Sequence, residues 1–502
     1  MPLKLAAHGE ADMANEHFDV LVVGAGISGI GAGHYLQERC PDKSYAILER
    51  RAALGGTWDL FRYPGIRSDS DMYTLGYAFR PWTGAKSIAD GPAILDYLQA
   101  TARDEGIDRK IRYNHRVLAA NWSTPDAQWT VDLDVGGERR QLTTGFLFMC
   151  SGYYNYDAGY MPEFPGIDSY KGEVVHPQKW TQDIVHAGKR VIVIGSGATA
   201  VTLVPEMAKT AAHVTMLQRS PSYVVSRPGE DSIGLSLRKY LPSMLAYQLT
   251  RWKNVLLGMY FFRLMRKYPT QAKARLVGMV RDELGPDYDV EKHFSPRYNP
   301  WDQRVCAVPN ADMFEAIRNG SASVETDIID TFNATGIRLK SGKQLDADMI
   351  VTATGLDMQL MGGAKLSIDG VPVEISKALT YKGMMFSDIP NLALSTGYTN
   401  ASWTLKTDLT CAYVCRLLQH MDATGTRQCT PRITDADVAP APFIDFSSGY
   451  IERAAAHLPK QGNKAPWKLH QNYALDIVTL RFGKVDDGTM EFSNPVRAKV
   501  AA

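Results

Sequence analysis

Phe18-Asp-Val-Leu-Val-Val-Gly24-Ala-Gly26-Ile-Ser28-Gly29 is the stretch from which the fold can be read. Its apolar run has the composition of a buried strand, and the run stops at a glycine. Three glycines follow in the pattern Gly-x-Gly-x-x-Gly, and the spacing then becomes helical through Gly31, Ala32, Tyr35 and Leu36. Gly24 makes the tight turn, Gly26 lets the backbone approach a pyrophosphate, and Gly29 lets helix and strand pack closely. The helix N-terminus offers free N–H groups and the positive end of a dipole to phosphates, and Ser28 adds a hydroxyl there. A second strand, Tyr45-Ala-Ile-Leu-Glu49, ends in an acid 20 residues beyond Gly29, where a carboxylate accepts hydrogen bonds from ribose hydroxyls. The glycines alone are a weak signal. Strand, glycines, helix, strand and acid in that order predict a dinucleotide site. The acid disfavours a 2′-phosphate, so the site suits FAD or NAD.

Further along, Lys189-Arg-Val-Ile-Val-Ile-Gly195-Ser196-Gly197-Ala198-Thr199-Ala200 repeats the plan. The third glycine is here Ala200, which still permits close packing. The matching strand, from His213, ends in Gln218, Arg219 and Ser220 and carries no acid. Arginine plus hydroxyl beside the adenosine ribose is what a 2′-phosphate needs, because guanidinium binds phosphate through paired hydrogen bonds. The second site therefore reads as one for NADPH, against the plainer reading of a surface arginine at a strand end.

Between the two turns, Arg112 to Val117 reads as a strand, with Val117 beside the adenine. Trp129 to Val135 and Arg139 to Leu142 read as a hairpin about Gly136-Gly137, and Phe146 to Cys150 as another buried strand. Beyond the second turn, Glu325 to Phe332, Gly336 to Leu339, Asp348 to Gly355 and Pro390 to Gly397 read as strands, and Ala401 to Met421 as a helix. His293 to Asn310, rich in proline and aromatic residues, reads as a rigid loop.

The chain has 502 residues, and 55 Lys and Arg nearly cancel 54 Asp and Glu, so no basic field for nucleic acid exists. Six cysteines lack zinc spacing and any Cys-x-x-Cys, which predicts reduced thiols in packing roles and a cytoplasmic location. That spacing also argues against a disulfide reductase, which needs a reactive cysteine pair. No apolar run of about 18 to 20 residues predicts a transmembrane helix. Residues 1–17 lack the apolar middle of a secretion signal and are expected to be a mobile tail. Ser232 to Arg281 contains ten Lys and Arg and no Asp or Glu, with aromatic and aliphatic residues at helical spacing. This insert is expected to cap the active site. Its basic, apolar face could also touch an anionic membrane surface, though a solvated basic face over an ordinary core is the commoner meaning of the pattern.

Two further stretches carry a resemblance. Gly55-Gly-Thr57-Trp58, then Tyr63-Pro-Gly65 and Asp69, and the segment Tyr170-Lys-Gly172-Glu-Val-Val-His176-Pro-Gln-Lys-Trp180 between the two turns, resemble the fingerprints of the Baeyer–Villiger monooxygenases, the class B flavoprotein oxygenases. Tyr170 stands where the family has Phe, and Thr181 where it has Pro or Asp. Alone, His176 would read as a solvated loop histidine and Trp58 as core. The runs at 57–77, 193–205, 298–304, 397–406 and 458–473 are similar to a mycobacterial, ethionamide-activating subgroup of that family. The likeness extends from Phe18 to about Asp476.

The resemblance implies FAD at the first site, with Thr57, Trp58 and Asp69 at the flavin, and NADPH at the second, with Arg67 contributing there. It implies an enzyme of small-molecule ketones and sulfides that uses O2 and gives esters, with oxidation of sulfides and thioamides at sulfur as a side activity. It carries to Arg304 the stabilisation of the flavin peroxide, positioned by Asp69, with Arg297 the local competitor and an ion pair to Asp302 the structural alternative. Gly172, His176 and Trp180 become a lever at a domain junction. The nearest alternative is a flavin monooxygenase acting mainly on nitrogen or sulfur nucleophiles; a flavin redox sensor and a membrane-surface module lie further off. The expected fold class is α/β, with two Rossmann-like dinucleotide-binding domains and a helical insert in the NADP domain. The FAD domain takes residues 18–153 and 384–502, the NADP domain 154–227 and 305–383, and the insert 228–304. Sequence leaves the oligomeric state open.

Overall fold

The computed structural model describes residues 16–444 and 446–495. Of the expected tail, residues 1–15 lie outside the described residues. Glu16 and His17 do not belong to a tail: His17 opens the first strand, and Glu16 pairs with Arg112 at 2.6 Å.

Strand β1 (His17–Val23) lies between and parallel to β2 (Tyr45–Leu48) and the far half of a long strand at 138–149. Val20, Leu21 and Val22 have no exposure, as a strand covered on both faces requires. The expected strand at 112–117 is broken at Asn114, whose φ is 58°, into β3 (Ile111–Arg112) and β4 (His115–Ser123). β5 (Gln128–Val135) and β6 (Glu138–Met149) complete an antiparallel meander. The stretches 139–142 and 146–150, read separately from sequence, are one strand: the first half of β6 pairs with β5 and the second half with β1. Helix α1 (Ile27–Arg39) follows the glycine turn.

The second sheet is fully parallel. Its strands β7 (Glu173–Val175), β8 (Arg190–Ile194), β9 (His213–Gln218), β10 (Ala322–Thr326) and β11 (Met349–Thr352) lie in the order β10-β9-β8-β11-β7. Helix α2 (Ala198–Met207) follows its glycine turn. The stretch 325–332 is split: β10 ends at Thr326, and Ile329–Asn333 belongs to a separate three-stranded antiparallel sheet. The chain then returns to the first sheet. β12 (Lys365–Ile368) pairs with β4, β13 (Val371–Pro372) with β12, and β14 (Leu392–Leu394) with β6. Residues 365–372, expected in the second domain, therefore extend the first sheet. That pairing with β4, 246 residues away at Ser367 and Asn121, has no local sequence signal.

The helices of the insert do not cap the cleft between the sheets, which the insert reaches only through its end at Tyr298, Gln303 and Arg304. No residue of α3 (Ser232–Tyr240), α4 (Ser243–Lys267) or α5 (Pro269–Leu284) lines it. Instead the insert ties the two halves together. On α4, the Tyr247 hydroxyl donates to the Tyr77 carbonyl at 3.0 Å, and Arg251 pairs at 3.2 Å with Asp408 of α6 (Trp403–Thr424) in the first domain. On α5, Leu276, Val277 and Val280 are buried in the core of the second. The outer face of α4 exposes Leu249, Trp252, Leu256, Leu257, Tyr260 and Phe261. Among the described residues, no helix is long and apolar enough to cross a membrane.

Candidate active site

A cleft of about 630 Å³ is lined by both glycine turns. At the first, the Gly24 amide donates to the Leu48 carbonyl at 2.7 Å with a φ of 105°, and a Cβ on Gly29 would lie 1.8 Å from the Gly24 oxygen. Gly26 begins α1 without a side-chain cap, so the helix N–H groups are left for a ligand. The backbone of Gly56 closes over it: a Cβ on Gly26 would meet the Gly56 Cα at 3.4 Å. Glu49 is 3% exposed; its two carboxylate oxygens accept the amides of Ala25 and Arg51, each at 2.9 Å. Burial pushes its pKa up against those two bonds. Thr57 and Trp58 line the cleft, and Thr57 Oγ1 accepts the Tyr154 hydroxyl at 2.6 Å. Val117 lines it too. Ser28 is buried, and its Oγ accepts the Trp403 indole N–H at 2.8 Å, so its hydroxyl braces α6 as well as facing the cleft.

At the second turn Gly195 has a φ of 136°, and Gly197 begins α2 uncapped with open space where a Cβ would stand. Ser196, Ala198 and Thr199 line the cleft; Ala200 is fully buried behind it and packs the helix on the sheet. Gln218 is structural: its amide nitrogen donates to the His293 carbonyl at 2.8 Å and to Thr326 Oγ1 at 2.9 Å. Arg219 is exposed and reaches the cleft. Ser220 does not line it. The chain bends after β9, so the Ser220 carbonyl accepts the Ser196 hydroxyl at 3.2 Å, and Ser222 is presented instead. Arg67 lines the cleft, with its guanidinium committed to Asp312.

Arg304 and Asp69, 235 residues apart in sequence, meet in the cleft with Nη1 and Oδ2 2.7 Å apart. Their side chains are 45% and 39% exposed, and that exposure is to the cleft interior. The Asp69 charge, foremost, pushes the Arg304 pKa further above the usual guanidinium value, so the group stays a cation. The loop that carries Arg304 runs between a short helix at Val290–Phe294 and a strand at Cys306–Pro309; only its middle is irregular. α4 holds the loop from behind: Asp302 pairs with Arg266 at 2.8 Å, and the Trp301 ring lies edge-on to Phe262. Asp302 is thus not the partner of Arg304, and Arg297 is exposed and does not line the cleft.

Gly172, His176 and Trp180 lie outside the cleft. A Cβ on Gly172 would stand 2.3 Å from the Tyr170 oxygen, whose hydroxyl donates to the Ala347 carbonyl at 2.9 Å. β7, which follows, is an edge strand of the second sheet. His176 Nδ1 accepts the Gln178 amide at 3.2 Å, and its Nε2 is buried without a hydrogen-bond partner. Burial lowers the ring's pKa, outweighing the nearby Gly355 carbonyl. The ring lies where a Cβ on Gly159 would be, 2.0 Å from that position, and the Gln178 side chain donates to the Asn155 carbonyl at 2.8 Å. The fingerprint therefore clamps the crossing segment 153–160, whose Tyr153, Tyr154 and Tyr156 face the cleft.

A second, smaller chamber of about 170 Å³ opens beside the cleft and shares Arg304, Tyr153, Trp403 and Tyr450 with it. Met358, Leu360, Phe443 and Ile444 make it largely apolar. Sequence reasoning missed its lining, which comes from segments far apart in the chain. Only the resemblance at 397–406 and 458–473 touched them. The six cysteines are free and buried, and no cluster among the described residues would hold a metal ion.

A family model described as flavin-binding monooxygenase-like matches residues 88–389, and one for a NAD(P)-binding Rossmann-like domain matches 22–98. The chain is similar to the FAD-containing monooxygenase EthA of Mycolicibacterium smegmatis, 53% identical over 97% of this chain and 99% of that one. To the protein of the same name in Mycobacterium tuberculosis it is 54% identical, over 95% and 98%. Among solved structures, an oxidized steroid monooxygenase bound to NADP superposes with a TM-score of 0.74 over 95% of this chain and 99% of that one, at 22% identity, which speaks to fold alone.

Proposed function

The chain belongs to the flavin-binding monooxygenases, and on that premise we propose that it inserts an oxygen atom next to the carbonyl of aliphatic or aryl ketones to give esters, and oxidises sulfides and thioamides at sulfur. It is an enzyme of FAD and NADPH. The observation that carries the reading is the Arg304–Asp69 pair at the border between the nucleotide cleft and the apolar side chamber.

The residues present fit both cofactors. The uncapped start of α1, the Gly26–Gly56 approach and buried Glu49 suit the pyrophosphate and ribose of FAD. The uncapped start of α2 with Arg219 and Ser222 suits NADPH. When bound, FAD reduced by NADPH supplies the activation of O2. Arg304 supplies fixed positive charge where negative charge builds up on the reacting oxygen, and Asp69 holds its guanidinium in place. A unit charge about 4 Å away gains roughly 4 kcal/mol at an effective dielectric of about 20, or about three powers of ten in rate. Tyr153, stacked on Trp403 at 5.2 Å, walls the reacting region and limits water there. A reading limited to nitrogen and sulfur nucleophiles calls for a protonated, electrophilic oxygen, which the Arg304 cation beside it opposes.

Arg304→Ala tests the proposal with 2-octanone as substrate. NADPH consumption should continue, ester formation should fall by about three powers of ten, and hydrogen peroxide should appear in its place. Ester formation at the normal rate would remove Arg304 from the reaction.

A further inference from the structure

The geometry points to Lys406 as a substrate anchor: in the side chamber beside Arg304 it offers one hydrogen-bond donor to a neutral acceptor at the far end of the substrate. This rests on the reading of that chamber as the place where ketone or sulfide binds.

Lys406 sits in the first turn of α6 and is 5% exposed, and Asp476, 6% exposed, faces it from the short helix Tyr473–Asp476. Both line the chamber. The Lys406 ammonium donates to Asp476 Oδ2 at 2.7 Å and to the Lys382 carbonyl at 3.3 Å. The Tyr398 hydroxyl donates to the same carboxylate oxygen at 2.6 Å. An ammonium has three hydrogens, so one is left without an oxygen partner, with the Tyr398 ring 5.8 Å away at its centroid. The neighbouring lysine of the chamber, Lys382, has none to spare: it meets Asp487 at 2.9 Å, the Tyr413 hydroxyl at 3.1 Å and the Lys484 carbonyl at 3.2 Å. Lys406 is therefore a fixed donor with an open valence in a largely apolar space.

Its position is not explained by stability. A cation in the first turn of a helix opposes the helix dipole, and a buried ion pair is often no more stable than apolar residues of the same size. Three of the four Lys and Arg side chains of the chamber each face a carboxylate, Lys406 with Asp476, Lys382 with Asp487 and Arg304 with Asp69, and the fourth, Lys468, is exposed. That balance favours an uncharged acceptor, such as a carbonyl, ester or hydroxyl oxygen, over a carboxylate. The substrate class follows: a short apolar chain with the oxidised group at Arg304 and a second oxygen acceptor at Lys406.

The test compares kcat/KM for 2,7-octanedione, 2-octanone and 7-oxooctanoate in the holoenzyme, in Lys406→Met and in Lys406→Met/Asp476→Asn, which removes the pair together and leaves no orphaned charge. The diketone carries two reacting carbonyls, so chance alone gives it a preference of about two-fold. A hydrogen bond to a charged donor predicts about ten-fold or more in the wild-type chain, falling toward two-fold in either variant that folds. A wild-type preference near two-fold, or one that survives in the variants, overturns the anchor while ketone oxidation itself stands. A preference for the carboxylate over the diketone overturns the neutral-acceptor assignment. Failure of the wild-type chain to oxidise any of the three overturns the functional reading and the anchor with it.

Discussion

Where the first glycine turn has Gly29, the second has Ala200, and where Gly26 is covered by the backbone of Gly56, Gly197 faces open space. The same contrast runs through the strand ends. Glu49 is buried and bonded to two backbone amides, whereas Arg219 is exposed and, among the described residues, no hydrogen bond or ion pair restrains its guanidinium. One topological unit is thus used in two ways. The first turn is closely covered by backbone, Gly56 over Gly26 and the Gly24 carbonyl against Gly29, which suits a cofactor retained through turnover. The second is open along its nucleotide face, which suits one that arrives and leaves. On the proposed assignment, differences in packing at equivalent positions, more than the motif, separate a resident nucleotide from a visiting one.

The largest effect should come from exchanging the third residues of the two turns. Gly29→Ala places a methyl 1.8 Å from the Gly24 oxygen, a backbone atom that cannot move without opening the turn. Purified protein should carry almost no flavin, read from its visible absorbance, or should fail to fold. Ala200→Gly, the mirror change, should cost about 1 kcal/mol or less and keep the flavin. Equal effects of the two would erase the distinction.

Arg219→Ala should act more mildly, and only on the second nucleotide. Loss of a charge-assisted contact to the 2′-phosphate predicts a rise of about ten- to a hundred-fold in KM for NADPH. The preference for NADPH over NADH should shrink by the same factor, with flavin content intact. Arg67 is poorly placed to compensate, because Asp312 already holds it. An unchanged preference would move the 2′-phosphate away from the end of β9.

These contrasts were readable to different depths. Both turns, Glu49 and Arg219 lie within single strand–turn–helix units, and short-range spacing sufficed for them. Ser220 was misplaced by two residues, because a bend after the strand decides which hydroxyl faces inward. The meeting of Arg304 with Asp69 followed from family likeness alone, since no local pattern joins residues 235 positions apart. The pairing of β12 with β4 was not legible at all, and the side chamber only where the resemblance at 397–406 and 458–473 touches its lining. The chamber is closed by residues from 396–406, 443–451 and 465–479, none of which forms a motif by itself. The insert shows the reverse failure: its composition was read correctly as helical, but which faces would be covered depended on partners at Tyr77, Asp408 and the second core.

The smallest expected effect concerns acid. His176, His186 and His293, in the second domain and at its border with the insert, have pKa values lowered first by burial. Their folded forms hold a proton less readily than the unfolded chain, so the stability they contribute is present above the ordinary histidine value of about 6.5 and is lost as pH falls from there through their lowered folded values. Glu49 in the first domain has the opposite sign. Burial raises its pKa, so its contribution is present in acid and lost as pH rises through the folded value. Between pH 7.5 and 5.5, amide protection, taken relative to the intrinsic exchange rate at each pH, should therefore fall in β7–β11 before β1–β6, by roughly a few-fold. His176→Phe keeps a ring against Gly159 while removing the titration, and should reduce the acid-dependent part near β7 and the 153–160 crossing. Earlier loosening of β1–β6 would mean that the open domain is not the one that acid reaches first. The clamp at His176 would then owe nothing to its remaining neutral.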